Sequence, residues 1–139
     1  MSFTFGRSSK GKLHTCDSRL HDLALRVLEA SPIDFAILCG HRNRDSQDEA
    51  FASGHSLVQW PNGKHNAMPS RALDFAPVPD PFDERPLALM RYGVIAGIFF
   101  AKAHEMGLPI RWGQDWDGDG DLTDNTLNDM GHIELLRET

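Results

Sequence analysis

Two histidines and an aspartate in this sequence could converge on one site. His65 lies in a polar stretch broken by prolines, whereas Asp74 lies in a short apolar run typical of a strand. His132 follows near the end of the chain in "GHIEL", where alternate residues share a face, so that His132 and Glu134 point the same way. If this strand neighbours the one that carries Asp74, two imidazoles and one carboxylate meet.

These donors are those of a catalytic zinc centre, in which a fourth position is left for water and metal–ligand distances are about 2.0–2.2 Å. Zinc acidifies the water bound to it, and a base must then take the proton. Asp129, three residues before His132, is the first candidate for this base and Glu134 is the second. The alternative is a set of ordinary surface histidines, because some of the seven histidines will lie near acids by chance.

A run of acidic residues before Asp129 forms a second candidate site. The sequence "DWDGDGDLTDNT" has carboxylates at positions 1, 3 and 5, glycine at position 6 and leucine at position 8, as at the start of an EF-hand loop. The expected calcium ligands are Asp115, Asp117, Asp119 and Asp121, or Asp124 in place of the last. Position 12 is Thr126 where an EF-hand has a bidentate glutamate, so a solvated acidic turn is the alternative. Because the loop leads into Asp129 and His132, bound calcium could regulate activity.

The composition favours one folded domain and argues against several classes of protein. A chain of 139 residues is long enough for one hydrophobic core, so we expect a single domain over residues 1–139. The net charge of -6 argues against a nucleic-acid partner, because such proteins carry a basic surface. Two cysteines are too few for a disulfide scaffold. The N-terminal segment lacks the apolar core of a secretory signal, so we expect synthesis in the cytoplasm.

Hydrophobic periodicity predicts the elements that position these residues. It predicts helices over 17–30 and Leu87–Met106 and a shorter helix over 45–54 that is capped by Asp45, with a long loop over 55–71. Short apolar runs predict strands at 34–40, 72–76, 108–112 and 132–136. The stretch "YGVIAGIFFA" is too short to span a membrane and predicts a buried helix core. Helices and strands that mix without strict alternation favour an α+β fold with a small, mainly antiparallel sheet.

Together, these segments resemble one family of enzymes. The motif "KHN..PSRALDFAP" followed by a terminal "D.GHIEL", with "GHR....Q" upstream, resembles the peptidoglycan peptidases. These include D-alanyl-D-alanine carboxypeptidases and dipeptidases and the L-alanyl-D-glutamate endopeptidases of phage lysis. The resemblance covers nearly the whole chain and implies a sheet flanked by helices, as in the D,D-peptidases and the hedgehog signalling domain.

The resemblance also implies a role for each candidate residue. Zinc is expected on His65, Asp74 and His132. Asp129 would act as general base, and Arg42 would polarise the scissile carbonyl, because a fixed guanidinium beside a developing oxyanion stabilises the transition state. Gln47, behind Arg42, and Ser70 are expected to contribute to substrate binding.

Two of these residues have simpler interpretations. Arg42 could form a surface salt bridge with Asp45 or Asp48, which follow it closely in the chain. Asp129 could be a turn residue, because an Asn-Asp pair shortly before a glycine is favourable turn chemistry.

The function expected from the resemblance is hydrolysis of the L-Ala-D-Glu amide in the peptide stem of bacterial peptidoglycan, through a zinc-bound water, by an endolysin of phage type. The alternatives are a D,D-carboxypeptidase or dipeptidase acting on D-Ala-D-Ala termini, or a non-catalytic zinc or calcium module of hedgehog type. We expect a monomer without a membrane span. It would be made in the host cytoplasm and reach the wall once the membrane is permeabilised.

Overall fold

The computed structural model describes residues 3–80, 84, 86–123 and 129–136, which form helices packed on a four-stranded sheet. The helices are α1 (Arg7–Leu13), α2 (Ser18–Ala30), α3 (Arg44–Ala52) and α4 (Leu87–Met106), with a short 3-10 turn at Lys64–Asn66. The strands are β1 (Phe35–Cys39), β2 (Ala72–Pro77), β3 (Ile110–Trp112) and β4 (His132–Leu135).

The sheet has the order β1-β2-β4-β3, and each neighbouring pair is antiparallel. The predicted α+β fold with an antiparallel sheet is therefore confirmed. Strand β4 lies between β2 and β3 and therefore pairs with β2, a strand that lies almost sixty residues earlier in the chain. The register places Asp74 opposite His132 and Arg111 opposite Glu134. Four polar residues from three strands are thereby grouped on the sheet.

Helix α4 covers the sheet with one apolar face. The residues buried along this face are Ala88, Tyr92, Ile95, Ala96, Phe99 and Ala103. By length and composition alone the helix could cross a membrane, but its buried side packs on α2 and on the aromatic side chains of Phe35 and Phe75. The prediction of a core helix is confirmed for this face, whereas Met90 and Val94 on the other face are exposed. The helix ends at Gly107, whose φ of 69° is a left-handed conformation that glycine adopts readily.

Three predictions about local structure need correction. Helix α3 is capped by Asn43 and not by Asp45, because the Asn43 side chain accepts a hydrogen bond of 3.0 Å from the backbone N–H of Ser46. Helix α1 was not predicted, since its short sequence "RSSKGKL" has little periodicity. It is held by tertiary contacts, including a 3.0 Å hydrogen bond from the backbone of Ile37 to the Ser9 hydroxyl. The predicted loop over 55–71 contains the 3-10 turn at Lys64–Asn66.

Candidate metal centre

Three side chains from separate parts of the chain meet above β2 and β4. The Nε2 atom of His65 lies 3.2 Å from Oδ1 of Asp74 and 3.3 Å from Nδ1 of His132. The third side of this triangle, from His132 Nδ1 to Asp74 Oδ1, is also 3.2 Å. The three side chains that were predicted to bind zinc are therefore brought together.

The outer nitrogen of each imidazole is held by a hydrogen-bond acceptor. Nδ1 of His65 lies 2.7 Å from the backbone oxygen of Gly40, and Nε2 of His132 lies 2.8 Å from Oε1 of Glu134. A carbonyl and an ionised carboxylate can only accept, so these outer nitrogens carry the protons of the neutral rings. The inner nitrogens then direct lone pairs toward Asp74. Three acceptors facing one another at this distance require a cation or a proton between them.

The residues fit a zinc ion. For bonds of 2.0–2.1 Å in a tetrahedral site, neighbouring donor atoms are about 3.3–3.4 Å apart, which is close to the three separations found here. Two imidazoles and a carboxylate are donors that zinc prefers in catalytic sites. Both histidines are buried, and a carbonyl or carboxylate orients each ring from outside, as is usual for metal-binding histidines.

Electrostatics at the triangle point to a site that binds cations. Burial acts to lower the pKa of His65, but the charge and hydrogen bond of Asp74 outweigh it and raise that pKa to about 10. The pKa of His132 is likewise raised to about 9, against burial, by hydrogen bonds to Asp74 and Glu134. Burial acts to raise the pKa of Asp74, yet the two imidazoles hold it well below its ordinary value. Without a metal, protons supply the positive charge.

These pKa values predict a pH dependence of metal binding. A metal ion takes an unprotonated nitrogen, so zinc must displace protons from His65 and His132 in the metal-free protein. We expect the apparent zinc affinity to rise with pH and to level off only above about pH 10, where both imidazoles have lost their protons. Calorimetric titration of metal-free protein in buffers of different ionisation enthalpy measures the protons released. Zinc binding without proton release near neutral pH would contradict this assignment.

Glu134, the second candidate for the base, has both of its carboxylate oxygens engaged. Its Oε1 accepts from His132, and its Oε2 forms a 2.9 Å ion pair with Arg111. Burial acts to raise its pKa, but these two partners lower it, so the carboxylate stays ionised. With both oxygens engaged, Glu134 orients His132 and is not placed to take a proton from substrate water.

Replacing Glu134 by glutamine is expected to weaken zinc binding by about 10- to 100-fold, because the ring of His132 loses its charged acceptor. Competition with a chromogenic chelator measures this affinity. Glu105→Gln is the matched control, since Glu105 is exposed near the end of α4 and pairs with Lys102. Equal zinc affinities for the two variants would show that Glu134 does not support the metal ligand.

Asp129 lies at the edge of the same triangle. Its Oδ2 is 3.9 Å from Nδ1 of His132, and its carboxylate falls within 4.8 Å of the donor atoms of Asp74 and His132. The side chain is 37% exposed, so it faces the cleft. Burial and the neighbouring Asp74 carboxylate raise its pKa. Asp129 also forms a turn, because its backbone oxygen accepts a hydrogen bond of 3.1 Å from the N–H of His132. The backbone forms this turn while the side chain lies at the site, so both interpretations of Asp129 hold together.

Arg42 points at the metal ligands and is not paired with Asp45 or Asp48. Its Nη2 donates to Oδ2 of Asp74 at 3.5 Å, and its Nη1 donates to Oε1 of Gln47 at 3.1 Å. This removes the simpler interpretation as a surface salt bridge. The guanidinium is held at the β1 side of the site.

Gln47 and Ser70 do not have free groups for a substrate. The Gln47 amide is buried, accepts from Arg42 and donates to the backbone oxygen of Val58 at 2.6 Å, so it positions the guanidinium. Ser70 is fully buried and its hydroxyl lies 2.7 Å from the oxygen of Ala72 and 3.2 Å from that of Gly40. Ser70 was predicted to contribute to substrate binding, whereas in the structure its hydroxyl contacts the carbonyl of Gly40, which orients His65.

Gly113 permits a close approach between strand β3 and the turn at Asp129. A Cβ atom at this position would overlap the backbone oxygen of Asp129 and lie 2.9 Å from the Cβ atom of His132. We expect Gly113→Ala to displace both residues and to lower stability by about 1–3 kcal/mol, as overpacking does. Gly97→Ala is the control, because nothing lies within 4 Å of its added Cβ, and alanine in a helix should stabilise by about 0.5–1 kcal/mol. Thermal unfolding measures both, and a Gly113→Ala protein as stable as the wild type would contradict the packing.

The triangle opens into a cleft of about 480 Å³. Its walls are formed by the 3-10 turn, the loop that follows α3, and the segment after β3. The side chains discussed so far that line it are Arg42, Gln47, His65, Asp129, His132 and Glu134. Leu57 and Val58 on one side and Trp116 on another add apolar surface. A cleft that combines apolar walls with a few converging polar groups is typical of a binding site for a small or extended substrate.

The acidic loop brings together three of the four predicted calcium ligands. Carboxylate oxygens of Asp115, Asp117 and Asp119 lie within 4.8 Å of one another. Asp121 is not part of this group, because its Oδ1 accepts from the backbone and hydroxyl of Thr123. This agrees with an EF-hand loop, in which position 7 binds through its backbone carbonyl. Residues 124 and 126 of the prediction lie outside the described residues.

Three neighbours of the site were missed from the sequence. Arg111 forms the ion pair with Glu134, the Trp116 ring lies 5.2 Å from that of His132, and a donor atom of Cys39 falls within 4.8 Å of donor atoms of His65 and Asp74. For Arg111 the signal was weak, namely a basic residue between apolar ones in a short strand. Cys39 and Trp116 carried no signal, because their proximity depends on the strand register and on a loop.

The chain is similar to known peptidases over nearly its whole length. A family model described as phage L-alanyl-D-glutamate peptidase matches residues 1–136. The chain belongs to this family. It is also 34% identical over 140 residues to the L-alanyl-D-glutamate peptidase of Escherichia phage T5, an alignment that covers 98% of this chain and 100% of the relative. The resemblance deduced from the sequence motifs is thereby confirmed.

A solved structure of lower sequence identity has the same fold. The L-Ala D-Glu endopeptidase ChiX of Serratia marcescens superposes with a TM-score of 0.71, over 95% of this chain and 90% of that chain, at 22% identity. The α+β architecture is therefore shared with this solved structure.

Proposed function

We propose that this chain is a zinc-dependent peptidoglycan endopeptidase that hydrolyses the amide between L-Ala and D-Glu of the peptide stem. Membership of the phage L-alanyl-D-glutamate peptidase family and the relative in phage T5 support the activity and its substrate. The single observation that supports zinc is the triangle of lone pairs formed by His65, Asp74 and His132. Its donor types and spacing suit this metal.

Zinc held by these three residues would supply a Lewis acid that polarises the scissile carbonyl and acidifies water. Asp129 is the proposed general base, since its Oδ2 lies 3.9 Å from His132 at the edge of the triangle and its raised pKa makes it a stronger proton acceptor than an ordinary aspartate. It would accept a proton from the attacking water and return it to the departing amine of D-Glu. The reaction therefore needs Asp129 ionised at its start.

Arg42 is the proposed partner of the developing negative charge on the scissile carbonyl oxygen. A guanidinium does not lose its proton, so it can stabilise this charge at any pH at which the enzyme is folded. Gln47 holds one end of the guanidinium, and Asp74 lies at the other. With both ends held, Arg42 needs little reorganisation when the charge appears.

The alternatives are less well supported. A D,D-carboxypeptidase or dipeptidase has related chemistry, but the family match and the T5 relative are both described as L-alanyl-D-glutamate peptidases. A non-catalytic module of hedgehog type does not need a base beside the metal ligands or a positioned guanidinium. The distances of 3.9 Å from Asp129 to His132 and 3.5 Å from Arg42 to Asp74 therefore support an enzyme over such a module.

Calcium is a second proposed ligand, bound by Asp115, Asp117 and Asp119. Loss of hydration and the nearby Asp119 raise the pKa of Asp117, as expected where carboxylates crowd together. The loop is joined to the zinc ligands, because Arg111 donates both to the backbone oxygen of Trp116 and to Glu134. Removing calcium while zinc is retained should lower turnover, and unchanged turnover would refute this link.

The proposed partner is the peptide stem of bacterial peptidoglycan. The proposed place of action is the cell wall, after synthesis in the host cytoplasm and permeabilisation of the membrane. Membership of a phage L-alanyl-D-glutamate peptidase family supports both proposals. A monomeric state and a single domain stay predictions from the sequence.

Digestion of purified peptidoglycan followed by mass spectrometry of the fragments tests the proposed function. We expect peptides with a new amino-terminal D-Glu, and glycan strands on which each cleaved stem is reduced to a single L-Ala. A carboxypeptidase would instead release only free D-Ala. Zinc-depleted enzyme should be inactive and should recover on addition of zinc. Cleavage at another bond, or full activity after depletion, would contradict the proposal.

A further inference from the structure

The bond that this peptidase cleaves places a negative charge close to the reaction. A D-Glu residue that is acylated on its amine has two carboxyl groups, and only one of them continues the peptide. The other is a free carboxylate a few bonds from the scissile amide. A cleft that selects D-Glu needs a fixed cation for this group, and the planar fork of arginine matches a carboxylate best.

The lysine and arginine side chains that line the described part of the cleft are Arg42, Lys64 and Arg111. Arg42 is directed at Asp74 and is proposed above to serve the scissile carbonyl. The Nζ atom of Lys64 donates to two backbone carbonyls at the end of β4, at 2.7 and 3.3 Å. Arg111 is the remaining guanidinium, and it lies on β3 at the edge of the sheet opposite to Arg42.

Arg111 is held in place but keeps hydrogen-bond donors. Its Nη2 donates to Glu134 at 2.9 Å, and its Nη1 donates to the backbone oxygen of Trp116 at 3.2 Å. Each of these nitrogens carries a second N–H group. The guanidinium carbon lies 5.7 Å from the centre of the Trp116 ring, and the side chain is 36% exposed. Because the side chain is already ordered, binding an anion costs little additional conformational entropy.

The neighbouring Glu134 does not prevent this role. One of its oxygens accepts from Nε2 of His132 and the other accepts from Arg111, so its charge is balanced from both sides. Glu134 also ties Arg111 to a proposed metal ligand, and this places the guanidinium beside the reaction centre. Trp116 adds an apolar wall that suits the methylene groups of a glutamyl side chain.

We propose that Arg111 binds the free carboxylate of the D-Glu residue and so selects the substrate. The inference rests on the proposed function, because it assumes cleavage before D-Glu. Arg42 and Arg111 would then flank the metal centre from opposite edges of the sheet, one for the carbonyl oxygen and the other for the carboxylate.

A matched pair of peptides tests this role. One contains L-Ala-D-Glu with its free carboxylate, and in the other the same carboxylate is converted into a carboxamide. We expect zinc-loaded wild-type enzyme to prefer the carboxylate roughly tenfold to a hundredfold in kcat/KM, which is the range for a hydrogen bond to a charged group. Arg111→Gln should bring this ratio close to one, Arg111→Lys should retain part of it, and the control Lys64→Gln should retain all of it.

The outcomes separate this role from a purely structural one. If Arg111 only supports Glu134, then Arg111→Gln lowers kcat/KM for both peptides alike and the preference persists, which overturns the inference. A wild-type enzyme that cleaves both peptides equally also overturns it, and that comparison needs no variant to fold. If the wild type cleaves neither peptide, the proposed function fails, and the inference fails with it.

Discussion

Asp129→Asn is expected to lower kcat/KM by about 10²- to 10⁴-fold, which is the usual contribution of a general base. Asparagine has nearly the same size and leaves the backbone hydrogen bond from His132 to residue 129 in place, but its amide cannot take a proton from water. Asp129 contacts His132 only at 3.9 Å, so the zinc content of the variant should equal that of the wild type. Steady-state kinetics and metal analysis on the same preparation measure the two quantities.

The control for this substitution is Asp48→Asn, because Asp48 is exposed on α3 and pairs with Arg44. Its kcat/KM should match that of the wild type. The pH profile offers a second check. Since the base must be ionised and its pKa is raised, wild-type kcat/KM should fall as the pH drops through that pKa. An Asp129→Asn enzyme with wild-type activity would remove Asp129 from the mechanism.

Asp74→Asn is expected to abolish activity together with zinc binding. Asp74 is the only anionic corner of the triangle, and its charge and hydrogen bonds are the main cause of the raised pKa values of His65 and His132. An amide oxygen is a weaker ligand for zinc and leaves the positive charge of the metal unbalanced in a buried site. The zinc affinity should therefore fall by more than roughly 10- to 100-fold, which is the loss expected when a metal-bound histidine loses only its hydrogen-bond acceptor.

Equilibrium dialysis against buffered zinc measures this loss, and thermal unfolding with and without zinc provides a second readout. Zinc that binds only the folded state should raise the Tm of the wild type and not that of the variant. Asp22→Asn is the control, since Asp22 is exposed on α2 and pairs with Arg26. Stoichiometric zinc in Asp74→Asn at wild-type affinity would show that the metal is held elsewhere.

The elements with strong local signals could be predicted from the sequence. Helix α4 begins and ends at the predicted residues, Leu87 and Met106, because Pro86 and Gly107 mark its two ends. The pairing of Asp74 with His132 was anticipated from two short strands with polar residues at interior positions. Asp74 and His132 could be named as candidate metal ligands because residue type and strand alternation are local properties of the sequence. His65 was added from its residue type and from its place in the loop that leads to Asp74.

The rest of the site depends on tertiary contacts that no local pattern reports. Glu134 was considered as a base, and only the register of β3 against β4 shows that Arg111 and His132 occupy both its oxygens. Ser70 was assigned to substrate, but the path of its loop buries the hydroxyl against the backbone oxygen of Gly40. Helix α1 has a weak sequence signal and is held largely by packing on β1.

The central claim is that one zinc ion lies among His65, Asp74 and His132. Anomalous diffraction recorded on both sides of the zinc absorption edge locates such an ion directly in crystals of the protein. We expect one strong anomalous peak within about 2.0–2.2 Å of His65 Nε2, Asp74 Oδ1 and His132 Nδ1. A zinc-replete protein whose peak lies away from these three atoms would contradict it.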